Sequence, residues 1–470
     1  MKRMRRGFGV FLCLLLLWGT IVGVAAPVQR DTTALYVQEG GPVALADLTE
    51  FPKLIDLTVD IPLSDLSLLA GLTKLQNLTF TAVPGLDLSP LAALTKLEYL
   101  RINGEVADIS VLSGLPALKH IGLQVAPGTD LSPLGGLRSL KNLALRGTLD
   151  SLAPLLSLRQ LEQLNLHAAN IKDFSPIGRI RTLRFLSLRQ EGIGDLSMLG
   201  DLKALESLSL HGETVYDIAG LARCKALRSL TLTDGARIAD FERMAALGSL
   251  CSFTYNDAGL VDLSPLSGLR ELRSLVLTGN AITDLAPLAK LSKLSELCLS
   301  GNRITSLQPL AKLEHLVYVL LADNPIDDLE PLRQSRGITT LDLSGTAIDN
   351  DDMAFFANRT RLWAFSVADT AVTDISSLGK MEGLNKLSVA RTGVSDLSVV
   401  QGMPRLRALH AQGSAVSDIT PLLGRESLLS LVDLMDTAVS EAQVQALRAQ
   451  QPDCAVVVDE ADALHREILF

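Results

Sequence analysis

Arginine, histidine and aromatic residues recur at a regular spacing in the first half of the 470-residue chain. The set comprises Tyr99, Arg101, His120, Arg146, His167, Phe185, Arg189 and His211. Arginine and tyrosine dominate the energetics of many binding interfaces, and imidazoles change their charge near neutral pH. These residues are therefore the first candidates for a ligand-binding surface, provided that the fold brings them to one face.

Other interpretations of the same residues fit less well. A histidine metal site would need neighbouring imidazoles, but Arg189 stands between His167 and His211 in the pattern and would repel a cation. The alternative that stays open is an ordinary solvated sheet surface, where polar residues are common. Catalytic triads, phosphate loops and zinc-ligand spacings do not occur outside the repeated part of the sequence, so we expect neither an enzyme nor a cofactor.

A smaller candidate patch lies further along the chain. It comprises Val276, Glu296, Cys298, Tyr318 and Leu320. We interpret it as a second contact site or as one of the small apolar patches that are common on protein surfaces. No cationic residue of the pattern adjoins Cys298, so its thiol is expected to be inert. Three other cysteines in the repeated part and its C-terminal flank, Cys224, Cys251 and Cys454, are too widely spaced for a metal site and are expected to be mostly buried.

A repeated leucine motif must position all of these residues. The element L-x-x-L-x-L, with conservative replacements, begins at Leu54, Leu75, Leu97, Leu118, Leu140, Leu161, Leu183, Leu205, Leu227, Leu250, Leu272, Leu294, Leu316, Ile338, Leu362, Leu384, Leu406 and Leu429. The interval from one copy to the next is nearly constant. One short strand cannot bury its apolar face alone, whereas a stack of parallel strands buries a continuous leucine column.

The strand geometry groups the candidate residues by their position in the repeat. Side chains alternate between the two faces of a strand, so the third, fifth and seventh positions share the face opposite the leucines. Neighbouring strands lie about 4.8 Å apart. Arg146, His167, Arg189 and His211 all occupy the seventh position, so they are predicted to form one continuous basic ladder.

The return segments are equally regular. Asp-Leu-Ser-Pro-Leu stands at residues 87–91, 130–134 and 262–266. We predict that the serine caps a short helical segment and that the proline occupies its first position, where a missing N–H costs nothing. Only about eight residues remain before the next strand, which favours one or two turns, partly 3₁₀. The aspartates recur once per repeat, as turn residues do.

These motifs together resemble the internalin-type leucine-rich repeats of bacterial surface proteins. The resemblance covers roughly residues 45–458 and implies an α/β solenoid: a horseshoe with a parallel concave β-sheet and short 3₁₀ or α segments on its convex side. It also implies recognition of a protein or glycan on the concave face. The sequence lacks the wall-anchoring modules usual in that family.

The sequence departs from the family after the strands, where asparagine is usual. Asparagine occurs there only as Asn280, Asn302 and Asn324. Other repeats carry hydroxyl residues, including Thr148, Thr346, Thr370, Thr392, Ser414 and Thr437. Hydroxyls satisfy turn backbone groups more weakly, so a looser ladder is expected in those repeats.

One repeat is longer than the others and contains Asp349, Asn350, Asp351 and Asp352. A calcium loop would also need a glycine and a distal glutamate, which are absent. We interpret the acids as the N-terminus of a longer convex helix that begins at residues 353–356.

The repeats divide the chain into four segments. Residues 1–26 carry basic residues, an apolar run and small residues, as a cleavable signal peptide does, although an uncleaved membrane anchor is the alternative. Residues 27–50 are expected to form an irregular lid, residues 51–439 the array of about eighteen repeats, and residues 440–470 a cap and tail. Within the cap, an amphipathic helix is predicted over 440–451 and a last strand over 454–458.

Charge and composition restrict the classes of binding partner that the chain can have. Loss of the four basic residues in the first segment takes the net charge from −9 to −13, which disfavours nucleic acid. No later segment is apolar enough to span a bilayer. The sequence therefore predicts a monomeric binding protein, secreted or associated with the cell envelope, with a structural scaffold of the envelope as the alternative.

Overall fold

The computed structural model describes residues 32–38, 45–169, 171–189, 194–357, 359–425 and 429–460. The signal segment at 1–26 and the tail after residue 460 lie outside the described residues. Within the described ranges no helix is both long and apolar enough to cross a membrane.

Short parallel strands, one per repeat, form a single 20-stranded sheet. In chain order these strands are β1 (Ala34–Val37), β2 (Asp56–Leu63), β3 (Asn77–Ala82), β4 (Tyr99–Val106), β5 (His120–Val125), β6 (Asn142–Thr148), β7 (Gln163–Ala169), β8 (Phe185–Arg189), β9 (Ser207–His211), β11 (Ser229–Thr233), β13 (Ser252–Tyr255), β14 (Ser274–Val276), β15 (Glu296–Cys298), β16 (Tyr318–Leu320), β17 (Thr340–Asp342), β18 (Ala364–Ser366), β19 (Lys386–Ser388), β20 (Ala408–His410), β21 (Leu431–Asp433) and β22 (Ala455–Val457). The labels β10 (Val215–Tyr216) and β12 (Arg237–Ile238) denote a separate two-stranded sheet.

The leucine motif sets the register of this sheet. Leu275 pairs with Leu297, which pairs with Val319, so equivalent apolar residues stack from strand to strand. All three side chains are fully buried. Within the motif, the pairings join equivalent positions of successive copies, as the repeat requires. Beyond it, the register shifts between Val59 and Pro62 of β2 and between Ile102 and Glu105 of β4. The predicted parallel leucine-rich-repeat sheet is therefore confirmed.

Short helical turns return the chain on the convex side. The 3₁₀ turns are Leu45–Glu50, Ser67–Gly71, Ser89–Ala93, Ser110–Gly114, Ser132–Gly136, Ala153–Ser157, Ser197–Asp201, Ala219–Arg223, Phe241–Ala246, Ser264–Leu266, Ala286–Lys290, Gln308–Leu310, Glu330–Gln334, Asp352–Phe356, Ser376–Lys380, Ser398–Gly402 and Thr420–Leu422. One return, α1 (Ser175–Arg179), is a single α-helical turn.

The predicted serine cap of these turns is wrong, and the aspartate does the capping instead. Asp87 accepts a hydrogen bond from the Ser89 N–H at 2.8 Å and another from the Ser89 hydroxyl at 2.7 Å. Ser89 is the first residue of the turn and Pro90 the second. The two hydrogen bonds hold the pKa of Asp87 below its usual value. The recurrent aspartates are thus turn residues, as predicted.

The side chains that follow the strands form a ladder of hydrogen bonds that is looser where a hydroxyl residue replaces asparagine, as predicted. Asn302 donates to the carbonyls of Leu277 and Leu299 at 3.0 and 2.7 Å, and its own carbonyl oxygen accepts from the Ile282 N–H at 3.1 Å. It therefore links two repeats. Thr392 instead donates one short bond, 2.6 Å, to the Val389 carbonyl of its own turn.

Arginine replaces leucine twice in the column that lines the inside of the convex turns. Arg359 donates to the carbonyls of Ser335 and Leu332, both at 2.7 Å. Arg425 donates in the same way to Met403 and Val400. Burial lowers the pKa of both guanidinium groups. The substitutions keep the repeats joined by hydrogen bonds where an apolar contact is missing.

The expected longer helix at the long repeat is wrong. The segment is one 3₁₀ turn, Asp352–Phe356. Asp349 accepts from the Asp351 N–H at 2.9 Å, while Asp352 accepts from the Asp349 N–H at 3.1 Å. Because the acids satisfy one another's backbone, the extra residues are absorbed in a compact turn.

Regular elements stand at both ends of the array. In the segment expected to be an irregular lid, β1 pairs with β2 and extends the sheet by one strand. At the other end, α2 (Glu441–Gln450) and β22 occupy the positions predicted for a helix and a last strand. Ser440 caps α2 by accepting a hydrogen bond from the Gln443 N–H.

Candidate ligand-binding groove on the concave face

Three rows of side chains cross the concave face of β4 to β9. The first row consists of Tyr99, His120, Asn142, Gln163 and Phe185. The middle row consists of Arg101, Gly122, Ala144, Asn165 and Ser187. The third row consists of Gln124, Arg146, His167, Arg189 and His211; on β4, beyond a register shift, the exposed Glu105 pairs with Gln124 but does not line the recess. The register places the four predicted ladder residues on neighbouring strands, in the order expected.

The rows enclose a groove of about 550 Å³. All of the predicted first-site residues except Phe185 line it. Its floor is low because Gly122 and Ala144 are the smallest residues of the middle row. The stem of Arg101 lies beside this floor, since a methyl group built on Gly122 would be 3.5 Å from the Arg101 Cγ.

The arginines differ in how far their charge is already satisfied. Arg189 forms a salt bridge with Asp234, which follows β11 two strands away. Arg101 donates from Nε to the Asn103 side chain at 3.2 Å and is in no ion pair with the described residues. Arg146 is exposed and has neither a hydrogen bond nor an ion pair within the described part of the chain. The accessible positive charge therefore lies at Arg101 and Arg146.

The imidazoles contribute less charge than the predicted basic ladder implies. Burial lowers the pKa of His167, and the neighbouring Arg189 and Arg146 lower it further. Burial and Arg189 lower the pKa of His211, whereas Asp234 raises it. Burial and the charge of Lys119 lower the pKa of His120. At neutral pH these side chains are uncharged hydrogen-bonding groups.

Aromatic contacts occupy the first row. The rings of Tyr99 and His120 have centroids 6.1 Å apart and are tilted by 36°. Phe185 is half-buried and lies beneath the guanidinium of Arg184, whose Cζ is 5.4 Å from the ring centroid. Phe185 thus flanks the groove and does not line it.

Sequence reasoning missed the amides and the floor of the groove. Gln124, Asn142, Gln163 and Asn165 line it together with Gly122 and Ala144. They stand at the third, fifth and seventh positions of the same repeats as the arginines and histidines. A search of those positions for amides and for consecutive small residues would have found them.

The second predicted patch is less accessible than expected. Val276, Cys298 and Leu320 are in register on β14 to β16, with Glu296 and Tyr318 in the adjacent row. Cys298 is buried between its two partly exposed neighbours. Burial, aided by Glu296, raises the pKa of its thiol to about 12, so the thiolate does not form at neutral pH. Cys224 and Cys454 are likewise buried, and Cys251 is half-buried.

A serine, a histidine and an aspartate fall into register near the C-terminal end. Ser388 on β19 pairs with His410 on β20, which pairs with Asp433 on β21. All three are buried, with exposed fractions of 4%, 7% and 0%. A substrate cannot reach the serine hydroxyl in this arrangement, so the row is structural. Nor do the described residues contain a cluster of three or more histidines, cysteines or acids that could hold a metal ion.

Comparison with known proteins agrees with the architecture. A family model described as "Leucine Rich repeats (2 copies)" matches residues 292–334. Comparison with curated proteins finds no significant match. The chain thus has the fold of leucine-rich-repeat proteins, which is generally used for protein–protein recognition.

Solved structures with this architecture come from bacteria and plants. A leucine-rich-repeat protein of Leptospira interrogans is 18% identical, covering 88% of this chain and 98% of its own, with a TM-score of 0.52. The ectodomain of an Arabidopsis thaliana membrane receptor kinase, solved with CASPARIAN STRIP INTEGRITY FACTOR 2, is 16% identical, covering 88% and 59%, with a TM-score of 0.50. An internalin of Listeria monocytogenes is 24% identical over 73% and 88%, with a TM-score of 0.44.

Proposed function

We propose that this chain is an extracytoplasmic binding protein that captures a protein or glycan ligand in the groove between β4 and β9. The observation that carries the proposal is the convergence of seven predicted residues on one recess, in which Arg146 has no partner among the described residues. Concave solenoid faces are the usual binding surface of repeat proteins. The extracytoplasmic location rests on the signal-like composition of residues 1–26.

The geometry favours binding over catalysis. Among the described residues that line the groove, the imidazoles are uncharged and none is hydrogen-bonded to a hydroxyl or thiol of the lining. The Thr233 hydroxyl, 2.7 Å from His211 Nδ1, lies outside the lining. The one register of serine, histidine and aspartate noted above is buried elsewhere in the sheet. The recess is open along several strands, as a surface that accommodates an extended ligand would be.

The test compares ligand capture by matched arginine variants of a chain that begins at Pro27. Arg101→Ser with Arg146→Ser removes the two accessible groove charges. Arg159→Ser with Arg181→Ser removes two exposed arginines from turns outside the groove and serves as the control for net charge. We expect the groove variant to lose a ligand that the wild type and the control both capture from extracellular material.

A structural scaffold predicts a different result. In that case neither pair of arginine substitutions changes ligand capture, whereas deletion of the cap from residue 440 onward abolishes assembly into the envelope. Equal capture by all variants would contradict the proposed site. Circular dichroism of each variant establishes that the fold is unchanged.

A further inference from the structure

We propose that the groove takes an acidic polysaccharide that carries a carboxylate on alternate sugar units, which specifies the ligand class of the function proposed above. Arg101 and Arg146 would each bind one carboxylate. The amide side chains of the three rows would bind sugar hydroxyls. The inference rests on the proposed binding function, but its test can fail while that function stands.

The charge of the lining selects an anion. Although the whole chain has a net charge of −9, none of the described residues that line the groove is acidic. Arg101 and Arg146 lie two strands apart, on β4 and β6, and in adjacent rows, so they are separated by roughly 10 Å across the sheet and by about 6.7 Å along the strands. A sugar chain that meets both guanidinium groups must therefore cross the rows obliquely. Guanidinium groups bind carboxylates through two parallel hydrogen bonds. Two such groups therefore fit two carboxylates separated by one intervening unit.

Uncommitted amides favour a carbohydrate over a peptide. The side chains of Gln124, Asn142, Gln163 and Asn165 make no hydrogen bond to another residue within the described ranges. Each amide both donates and accepts, which matches sugar hydroxyls that also do both. The lining has Tyr99 as its only accessible large aromatic residue among those described, whereas protein interfaces concentrate their binding energy in apolar and aromatic anchors.

The spacing of the side chains along the groove also favours a carbohydrate over a peptide. Each row presents one side chain per strand, so its repeat is the strand spacing of roughly 4.8 Å. A pyranose unit in an extended chain advances by about this spacing, and one unit can face each strand. An extended peptide repeats its side-chain direction every two residues, or about 6.7 Å, and falls out of step with the rows. Gly122 and Ala144 line the groove with the smallest side chains of the middle row, and its volume of about 550 Å³ leaves room for a sugar ring.

Isothermal titration calorimetry tests the inference with defined probes. The chain that begins at Pro27 is titrated with a hyaluronan octasaccharide, in which glucuronate alternates with N-acetylglucosamine, and with its carboxyl-reduced form. We expect binding of the acidic form and a loss of about a hundredfold for the reduced form, since each charge-assisted contact contributes about tenfold. Arg101→Ser and Arg146→Ser should each weaken binding about tenfold. Arg159→Ser with Arg181→Ser should leave it unchanged.

Three other outcomes would contradict the proposal of an acidic polysaccharide ligand. Equal binding of a glutamate octapeptide at the same ionic strength would show that the groove attracts any polyanion. If the octasaccharide still binds after both groove substitutions, its binding site lies elsewhere on the protein. If no oligosaccharide binds but the groove variant loses a captured protein, the sugar inference is wrong and the proposed binding function stands.

Discussion

The two halves of the solenoid share one leucine pattern but present different concave faces. Strands β4 to β9 have five to eight residues and carry exposed polar rows that form the groove. Strands β14 to β21 have three residues each. Concave residues of the later strands, such as Ala364, Ser366 and Ala408, are almost fully buried. The leucines thus determine the fold, whereas the residues between them determine whether the face is open.

The end of each strand explains the difference in strand length. In the C-terminal half a left-handed residue follows nearly every strand at the same place, as in Gly279, Gly301, Asp323 and Gly345. Their φ angles of 54° to 69° lie in the left-handed helical region, where the chain turns sharply and the pairing has ended. In the N-terminal half, Gly104 and Gly147 occupy the same place with larger positive φ angles of 91° and 125°, and they lie inside β4 and β6, where the chain stays extended beyond them. A longer strand adds the third row that lines the groove.

The side-chain ladder offers the strongest way to separate the halves. Asn302→Ala should lower the free energy of unfolding by roughly 3 kcal/mol, because it leaves buried backbone groups of two repeats without partners. Thr392→Ala removes the hydrogen bond donated to the Val389 carbonyl and a longer one accepted from the Val394 N–H at 3.4 Å, and it should cost about 1 kcal/mol. Thr148, at the equivalent position of the N-terminal half, makes no hydrogen bond from its side chain to a described residue, and its alanine variant should be close to neutral. Urea unfolding of the three variants measures this order.

Equal losses for Asn302→Ala and Thr148→Ala would contradict the assignment of the ladder to the C-terminal half. A change in the denaturant slope would show that the array unfolds in parts, as stacked repeats do when their interfaces are weakened. In that case the loss should be confined to the repeats next to Asn302, which hydrogen exchange resolves.

Low pH should destabilise the N-terminal half more than the C-terminal half, the reverse of the order expected for the ladder substitutions. Hydrogen bonds from the turn backbone and its hydroxyls lower the pKa of Asp65, Asp87, Asp108, Asp130, Asp173 and Asp195 in the N-terminal half, and of Asp262, Asp374 and Asp418 later in the chain. A lowered pKa stabilises the fold above the usual value of 3.8, and this stabilisation is lost as the pH falls below it.

Two half-buried acids in the C-terminal half act with the opposite sign. Burial raises the pKa of Asp342 and of Asp352. Their charged forms therefore destabilise the fold at neutral pH, and protonation relieves that cost as the pH falls through their raised pKa values. Below pH 3.8, pepsin should cleave the N-terminal half first, with the fragments assigned by mass spectrometry. Cleavage that begins between β16 and β21 would contradict this order.

Much of the site followed from the sequence, and what did not has a physical reason. The leucine spacing predicted the strands, and alternation along each strand placed Arg146, His167, Arg189 and His211 in one row. Burial of the imidazoles depends on neighbouring repeats and does not show in the pattern. The salt bridge from Arg189 could not be predicted either, because Asp234 lies in a left-handed turn two strands away.

The Arg189–Asp234 salt bridge lies at the end of the groove that faces the C-terminal half. Of the changes that compare the two halves, its removal should have the smallest effect. Asp234→Asn should free Arg189 and lower the pKa of His211 further, since the Asp234 carboxylate raises it in the wild type. Both partners are about half exposed, so the free energy of unfolding should change by only about a few tenths of a kcal/mol.

An NMR titration of the His211 ring protons measures the predicted shift. Asp150→Asn, which removes an exposed turn carboxylate outside the groove lining, is the control and should leave the His211 titration unchanged. If the groove ends where Asp234 neutralises Arg189, the freed arginine should also extend the anion-binding region toward β9. An unchanged or raised pKa of His211 in Asp234→Asn would mean that the salt bridge does not set the charge at this end, and that the two halves meet without an electrostatic boundary.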